Sequence, residues 1–415
     1  MRSVQFFGDQ EGMGLKIFSY NHKLILLVVM GLFALGLFAG CTTSESENGN
    51  ESAPTVVPTK SGPPTVIPET PSPAATAVPP TVAPTSAPAP TATAVTPMAT
   101  PEPAGPDFDT SRFEGIEGII DPTNFDWPRS IETSEGIVTL DAPPQRIHSL
   151  SLGHAEILAA LMDFVRLTAV YSFFSDPEQS NISDLAAAHN QIGFDPEEVV
   201  ALDPEIAIAS SFTNAATVEL LKDSGIPVAR ASLENSVLGN VPNILLIGYM
   251  IGAEKEAIAL ADMMEARMSF IEDLLVDKDS PRVLSISKYT SIFAAGSGST
   301  EGGIIEQAGA VNAAADSGIE GHAQVTIEGI AAINPDVIVV PQPLAGAEVF
   351  IDELMSSPVL AEVPAVKNGQ VHYVVPRYHT TLSHWNVRGV ERIAELLFPS
   401  AFSGVELENF SHYPN

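Results

Sequence analysis

The sequence predicts an α/β protein of two lobes with mostly parallel sheets, joined by one long α-helix. Three observations predict it. After Pro128, short apolar runs alternate with amphipathic ones, the order of a parallel sheet with helices on its faces. A ten-residue phrase occurs twice, at 197–206 and 328–337. Between the two copies lies a long amphipathic run, 253–277.

That run reads AEKEAIALADMMEARMSFIEDLLVD and holds no Gly or Pro. Apolar side chains recur at Ala257, Ala261, Met264, Met268, Ile271 and Leu275, in steps of four and three. Such spacing forms one stripe on a helix. At 1.5 Å per residue the helix spans roughly 35–40 Å, about the width of a small domain. It is expected to connect the two lobes.

In the first half, strands are expected at 137–140, 147–152, 167–171, 203–210 and 225–231. Helices are expected from about 154 to 162, ending at 199–202, and at 217–223. The second half repeats the pattern. Strands are expected at 282–287, 335–341 and 370–375, and helices at 303–309, 327–333, 350–355 and 387–397.

The repeated phrase is EEVVALDPEI in one copy and EGIAAINPDV in the other. Each copy opens on a Glu, Glu197 or Glu328, seven residues before a Pro, Pro204 or Pro335. A short helix must stop before each Pro, whose ring disfavours α geometry in the residue before it. A Glu in the first turn is also favoured by the helix dipole.

The chain has 415 residues, enough for two or three domains. Its 19 Lys and Arg stand against 51 Asp and Glu, for a net charge of −32. A nucleic-acid binder needs a basic face, so that class is disfavoured. From residue 107 onward the net charge is still −29. Cys41 is the single cysteine, so no intrachain disulfide is possible.

The first 23 residues are polar and mildly basic, and Met13 offers an alternative start. Residues 24–40 are uncharged and apolar, as in a signal sequence. Phe38-Ala39-Gly40-Cys41 resembles a bacterial lipobox, although Phe38 stands where Leu is usual. The resemblance implies 1–40 as a lipoprotein signal peptide, cleavage before Cys41 and lipidation of its thiol. An uncleaved membrane anchor is the alternative. Either puts the remainder outside the cytoplasmic membrane, in an extracellular or periplasmic space.

Residues 42–106 carry 16 Pro and 13 Thr in 65 positions. Such a composition buries too little apolar surface to order itself, so 41–106 is expected to be a lipidated Cys and a disordered Pro/Thr/Ala-rich tether. The remaining boundaries expected are 107–130 for a lead-in segment, 131–252 for an N-terminal α/β lobe, 253–278 for the connecting helix and 279–415 for a C-terminal α/β lobe.

The segments PPQRIHSLSLGHAEILAAL, EEVVALDPEIAIAS, GSTEGGIIEQAGAVN, VTIEGIAAINPDVIVV and VPAVKNGQVHYV resemble the substrate-binding proteins of ABC importers for iron–siderophores, haem and cobalamin. The resemblance covers 128–399. It implies two Rossmann-like lobes, a rigid helical connector, a ligand cleft between the lobes and only small closure. It also implies that Glu197 and Glu328 dock onto an ABC permease, which works with a cytoplasmic ATPase. A monomer with no catalytic residues and no resident cofactor is expected.

Ligands of α/β sheets gather at the C-terminal ends of strands. The residues there are His154, then Tyr171, Phe173 and Phe174, then Ser211 and Phe212. In the second half they are Tyr289, followed later by Arg377, Tyr378, His379, His384 and Trp385. Aromatics with a few polar groups suit a large, partly apolar chelate. Iron–siderophore is the first expectation, with haem or a corrinoid next.

A bare metal held by His379 and His384 with His154, His322 or Tyr289 is a sharper alternative, but no ligand spacing supports it. GSGST at 296–300 is followed by Glu301 and Gly302 rather than Lys, so it is not a phosphate-binding P-loop. No GxSxG or HExxH favours a hydrolase. A sensor using the same cleft is the remaining alternative.

Overall fold

The structure, a computed structural model, describes residues 106–413. The expected signal peptide, Cys41 and the tether lie outside the described residues.

The described chain begins with a segment that packs rather than trails. Phe108, Phe113 and Phe125 meet edge to face, with centroids 5.1–6.1 Å apart. Two strands follow, β1 (Arg129–Thr133) and β2 (Gly136–Leu140), in an antiparallel hairpin that sets Ile131 opposite Val138. Only the second was expected from the sequence.

The N-terminal lobe is built on β3 (Ile147–Ser149), β4 (Val170–Tyr171), β5 (Gln191–Ile192), β6 (Ile206–Ala209) and β7 (Val228–Arg230). A parallel sheet runs β3-β6-β7, and β4 pairs β5 separately, also parallel. The helices are α1 (Leu152–Leu161), α2 (Ser183–Ala188), α3 (Pro196–Leu202), α4 (Ala215–Asp223), α5 (Val241–Ile251) and α6 (Glu254–Leu274). Helix α1 starts earlier than its Gly suggested. Gly153 lies inside its first turn, where a Cβ would come 2.3 Å from the Leu382 carbonyl oxygen. The glycine serves a close approach of the two lobes rather than a turn.

Helix α5 was not expected. Nine of its eleven residues are buried, and a helix apolar all round shows no stripe to read. It lies against α6, and a Cβ on Gly248 would meet the Ala257 methyl at 2.3 Å. Helix α6 is the expected connector. Ala257, Ala261, Met264, Met268 and Ile271 are all buried on it, and Leu275 sits just past its end. The last residues of the expected run turn away, with Asp277 at φ +62°.

The C-terminal lobe holds β8 (Arg282–Lys288), β9 (Ile292–Ala295), β10 (Val311–Asn312), β11 (His322–Val325), β12 (Val337–Val340) and β13 (Val371–Tyr373). The order is β11-β9-β8-β12-β13, with β10 also on β8. Strands β8, β10, β12 and β13 are parallel, whereas β9 pairs antiparallel with β8 and β11 pairs antiparallel with β9. The helices are α7 (Thr300–Gln307), α8 (Ala313–Asp316), α9 (Ile327–Ile333), α10 (Leu344–Ser356), α11 (Pro364–Lys367), α12 (Pro376–His379) and α13 (Asn386–Leu397).

The duplicated phrase adopts one structure twice. Helices α3 and α9 are each seven residues long. Asp195 caps the first and Thr326 the second, each accepting from a backbone N–H of the first turn. Each ends on a left-handed residue, Asp203 at φ 48° and Asn334 at φ 52°, just before its Pro. The strand that follows each, β6 or β12, is buried at all four positions.

The core explains why the lobes are coupled. One apolar cluster runs from β3 and β6 through the α6 stripe to Ile304, Val390 and Ile393, and onto Val283, Val337 and Val339. A second lies on the other face of that sheet, with Leu284, Ile338 and Val340 against Ile330, Phe350 and Leu354. Alternate residues of β12 thus enter different cores, the period-2 pattern of a strand covered on both faces. Helix α6 is therefore packed into shared core along its length.

Candidate functional site

Strands β4 and β5 end side by side, and their chain continuations bring aromatic rings together. Tyr171 ends β4, a 3-10 turn at Ser172–Ser175 carries Phe173 and Phe174, and Phe194 follows β5 by one glycine. The rings of Tyr171, Phe173 and Phe194 lie 5.2–6.3 Å apart with planes within 21° of parallel. Phe174 stands edge-on to Tyr171 and Phe173 and is fully buried. Phe173 and Phe194 are 41% and 50% exposed, while burial pushes the Tyr171 hydroxyl up to about 12. Phe174 and Tyr171 hold a floor on which Phe173 and Phe194 remain open to solvent.

Phe194 was not singled out from the sequence. The two-residue β5 was too short to register, though an apolar residue followed by Gly-Phe was a usable signal.

Other expected site residues are placed differently. His154 is buried in α1, its Nδ1 3.0 Å from the Ser151 hydroxyl, and burial lowers it to about 4. His384 is equally buried and lowered to about 3. Trp385 packs against Phe410 at 5.4 Å and belongs to the main core, as does Tyr378. As placed, His154, Phe174, His384 and Trp385 offer little or no surface to a ligand. They are packed into the interior instead, where burial draws their rings out of water. Ser211 and Phe212 are exposed after β6, and Phe212 is outside the ring stack.

Arg377 bridges the lobes. Its backbone N–H donates to the Glu178 carbonyl at 3.0 Å and its guanidinium to the Pro177 carbonyl at 2.7 Å. The Leu344 N–H donates to the Glu178 carboxylate at 2.8 Å. Deeper in the junction, the buried Glu156 carboxyl accepts from Asn181 N at 2.9 Å and from the Ser383 hydroxyl at 2.5 Å. Burial pushes Glu156 up to about 7 despite those bonds. A third crossing joins Asn235 to the Gly298 carbonyl and the Thr300 hydroxyl, both at 2.8 Å.

Across this junction, Tyr289 stands exposed after β8. Glu301, in the first turn of α7, bonds His322 at the start of β11, with Nε2 2.9 Å from Oε2. That bond raises the His322 imidazole above its ordinary value. His379 directs Nδ1 to the Val375 carbonyl at 2.8 Å and leaves Nε2 buried without a partner. Among the described residues, no three His, Cys, Asp or Glu side chains converge as a metal site. The histidines of the bare-metal alternative are not brought together.

Glu197 and Glu328 are exposed at equivalent places in the first turns of α3 and α9.

A family model described as periplasmic binding protein matches residues 147–378. An uncharacterised ABC transporter substrate-binding lipoprotein of Bacillus subtilis, YvrC, is 27% identical over 278 residues, which cover 65% of this chain and 85% of that protein. A cobalamin-binding protein of Halobacterium salinarum is 28% identical over 209 residues, covering 50% of this chain and 57% of the relative. Among solved structures, the Haemophilus influenzae molybdate-binding protein MolA, bound to molybdate, aligns with a TM-score of 0.58 at 21% identity, covering 67% of this chain and 94% of that one. The apo haem-binding protein RhuT from Roseiflexus sp. RS-1 aligns with a TM-score of 0.54 at 24% identity, covering 62% and 99%. The two structures share the fold.

Proposed function

This chain belongs to the periplasmic binding protein family, and from that premise we propose that it captures a planar metal chelate outside the cytoplasmic membrane and delivers it to an ABC importer. The observation that carries the ligand class is the near-parallel floor of Tyr171, Phe173 and Phe194 at the ends of β4 and β5. Flat conjugated rings gain most from such a floor, through offset stacking and apolar burial. A haem or corrinoid therefore fits better than the iron–siderophore first expected. The relatives named as cobalamin- and haem-binding support the same class.

Delivery rests on Glu197 and Glu328, one exposed carboxylate on each lobe, read by basic residues of the permease. Rim charges of this kind set register and association rate. Cys41 is the lipid anchor in this reading, 41–106 the tether, and the chain works as a monomer. A sensor would share the site but not the docking pair. The lobe junction favours small closure: α6 lies in continuous core, and hydrogen bonds at Glu156, Glu178 and Asn235 cross from one lobe to the other.

The test is an absorption titration of the full chain, purified in detergent, with ferric haem and with hydroxocobalamin. Saturable spectral change with either supports the reading. No change with either, together with binding of a ferric siderophore, overturns the planar class.

A further inference from the structure

Glu156 is a fully buried carboxyl that the stacking floor does not use. It sits where the two lobes press closely together. One turn earlier on α1, a Cβ on Gly153 would come 2.3 Å from the Leu382 carbonyl oxygen. The two oxygens of Glu156 serve both lobes. Oε1 accepts from Asn181 N at 2.9 Å and from Asn181 Nδ2 at 3.0 Å, and Oε2 bonds the Ser383 hydroxyl at 2.5 Å. Asn181 Nδ2 also donates to the Arg377 carbonyl at 2.8 Å. Asn181 belongs to the N-terminal lobe, Arg377 and Ser383 to the C-terminal lobe.

The segment that leads to Asn181 is itself a crossing. Asp176 shapes it by accepting from Glu178 N at 2.9 Å. Glu178 then takes two N–H groups of the other lobe, Leu344 N at the start of α10 on its carboxylate and Arg377 N on its carbonyl. Parting the lobes breaks this set together with the Glu156–Ser383 bond.

No cation answers the carboxyl among its hydrogen-bond partners, which are Ser383, Asn181 and Thr381. The charged and titratable groups around it are engaged elsewhere. On its own helix, His154 turns Nδ1 to the Ser151 hydroxyl. On the N-terminal lobe's facing segments, Glu178 binds Leu344 N and the charge of Asp184 acts on His412. From the C-terminal lobe, Arg377 sends its guanidinium to the Pro177 carbonyl, and His379 its Nδ1 to the Val375 carbonyl. Burial keeps His384 neutral.

The two protonation states therefore differ in what they ask of the junction. A neutral carboxyl keeps one oxygen for Asn181 and can give its O–H to Ser383, whose hydroxyl accepts as readily as it donates. An ionised carboxylate is a buried charge with only neutral partners, and it gains from reaching water.

We propose that Glu156 is a proton-operated latch of the lobe junction: the neutral carboxyl holds the two lobes together, and its ionisation frees them to part. Parted lobes return the carboxyl to water and to its ordinary value of 4.5, whereas burial in the packed junction holds it at about 7. The packed junction takes up a proton between those values. Its advantage is complete below about 4.5 and is lost as pH rises through about 7.

Amide hydrogen exchange of the full chain in detergent, corrected for the intrinsic pH dependence of exchange, tests the latch. The reporters are Leu344 and Arg377, whose N–H groups cross the junction, and the references are Ala207 and Ile338, bonded within the two sheets. In the wild type the junction amides should exchange ahead of the sheet amides, and faster by up to about 10-fold per pH unit from pH 5 to 7, levelling above that. Glu156→Gln is neutral at every pH and can still bond Asn181 and Ser383, so it should keep these amides slow and remove the slope. A flat wild-type profile, a slope that survives in Glu156→Gln, or junction amides that exchange only at the rate of the sheets would each overturn the latch. No ligand is added, so the outcome is separate from which chelate the cleft takes.

Discussion

Arg146 and Arg282 occupy the same place in the two copies of the repeat. Each guanidinium donates to the last carbonyl of a duplicated helix, Leu202 O for Arg146 and Ile333 O, at 3.1 Å, for Arg282. The acidic residue after each Pro closes the unit. Glu205 accepts from Arg146 N at 3.2 Å and returns its own N–H to Arg146 O at 2.8 Å. Asp336 does the same for Arg282, at 2.9 and 2.8 Å. The duplication thus extends from the helix–Pro–strand phrase to the strand beside it.

Alanine at either arginine removes a charged cap from the end of a helix. Each change is expected to cost about 1–2 kcal/mol in urea unfolding. Arg282→Ala should cost more, since its side chain is 32% exposed against 48% for Arg146. Equal, negligible shifts would mean that solvent satisfies both helix ends.

Glu391 ties the connector to the last helix. It is buried, and it pairs with Arg267 of α6 and with Arg388 on its own helix at 3.0 Å. Arg267 also stacks over Phe410 at 4.1 Å. Glu391→Ala leaves two guanidinium groups without their anion and is expected to destabilise by about 3–5 kcal/mol. Arg267→Lys should not substitute fully, because a lysine lacks the two-pronged fork. Thermal melting of both variants checks this.

Glu156 predicts a pH signature. Its folded value of about 7 lies above its ordinary 4.5, so the folded state holds the proton between those values. The contribution is complete below about 4.5 and lost as pH rises through 7. Glu156→Gln removes it, so the variant should gain on the wild type across that window, by at most about 1.4 kcal/mol per pH unit. Denaturant unfolding from pH 4.5 to 7.5 measures it, and parallel curves would exclude the carboxyl from the linkage.

Phe194 and Trp385 should separate binding from stability. Phe194→Ala removes an exposed ring of the floor and is expected to cost about 0.5–1.5 kcal/mol of haem affinity with little change in melting. Trp385→Ala opens the core beside Phe410 and is expected to cost about 3–5 kcal/mol of stability. Binding and melting measured on both variants would show a reversed pattern if Trp385 were the ligand wall.

Glu197 and Glu328 are predicted to act in transport alone. Changing both to Lys should leave ligand affinity unchanged and slow or abolish uptake in cells carrying the permease. Unchanged uptake would remove the docking assignment.

The α/β class, the repeat and the connector were legible because each is written in local periodicity. The α6 stripe reads in steps of three and four, and the helix stops before Pro204 and Pro335 are steric. Helix α5 escaped because burial on every side erases the stripe. Strands β9 and β11 escaped because their pairing is with each other and with β8, not with their own sequence.

The sequence by itself determined which segments are helices and strands over most of the chain, and that a unit was used twice. Tertiary structure decided which strand-end residues face solvent and which face inward. His384 and Trp385 were drawn into the core by apolar burial, while Phe194 joined Tyr171 and Phe173 from a separate strand. The Glu301–His322 bond spans 21 residues. Local spacing carries no record of such meetings, because the free energy that creates them comes from packing between distant parts of the chain.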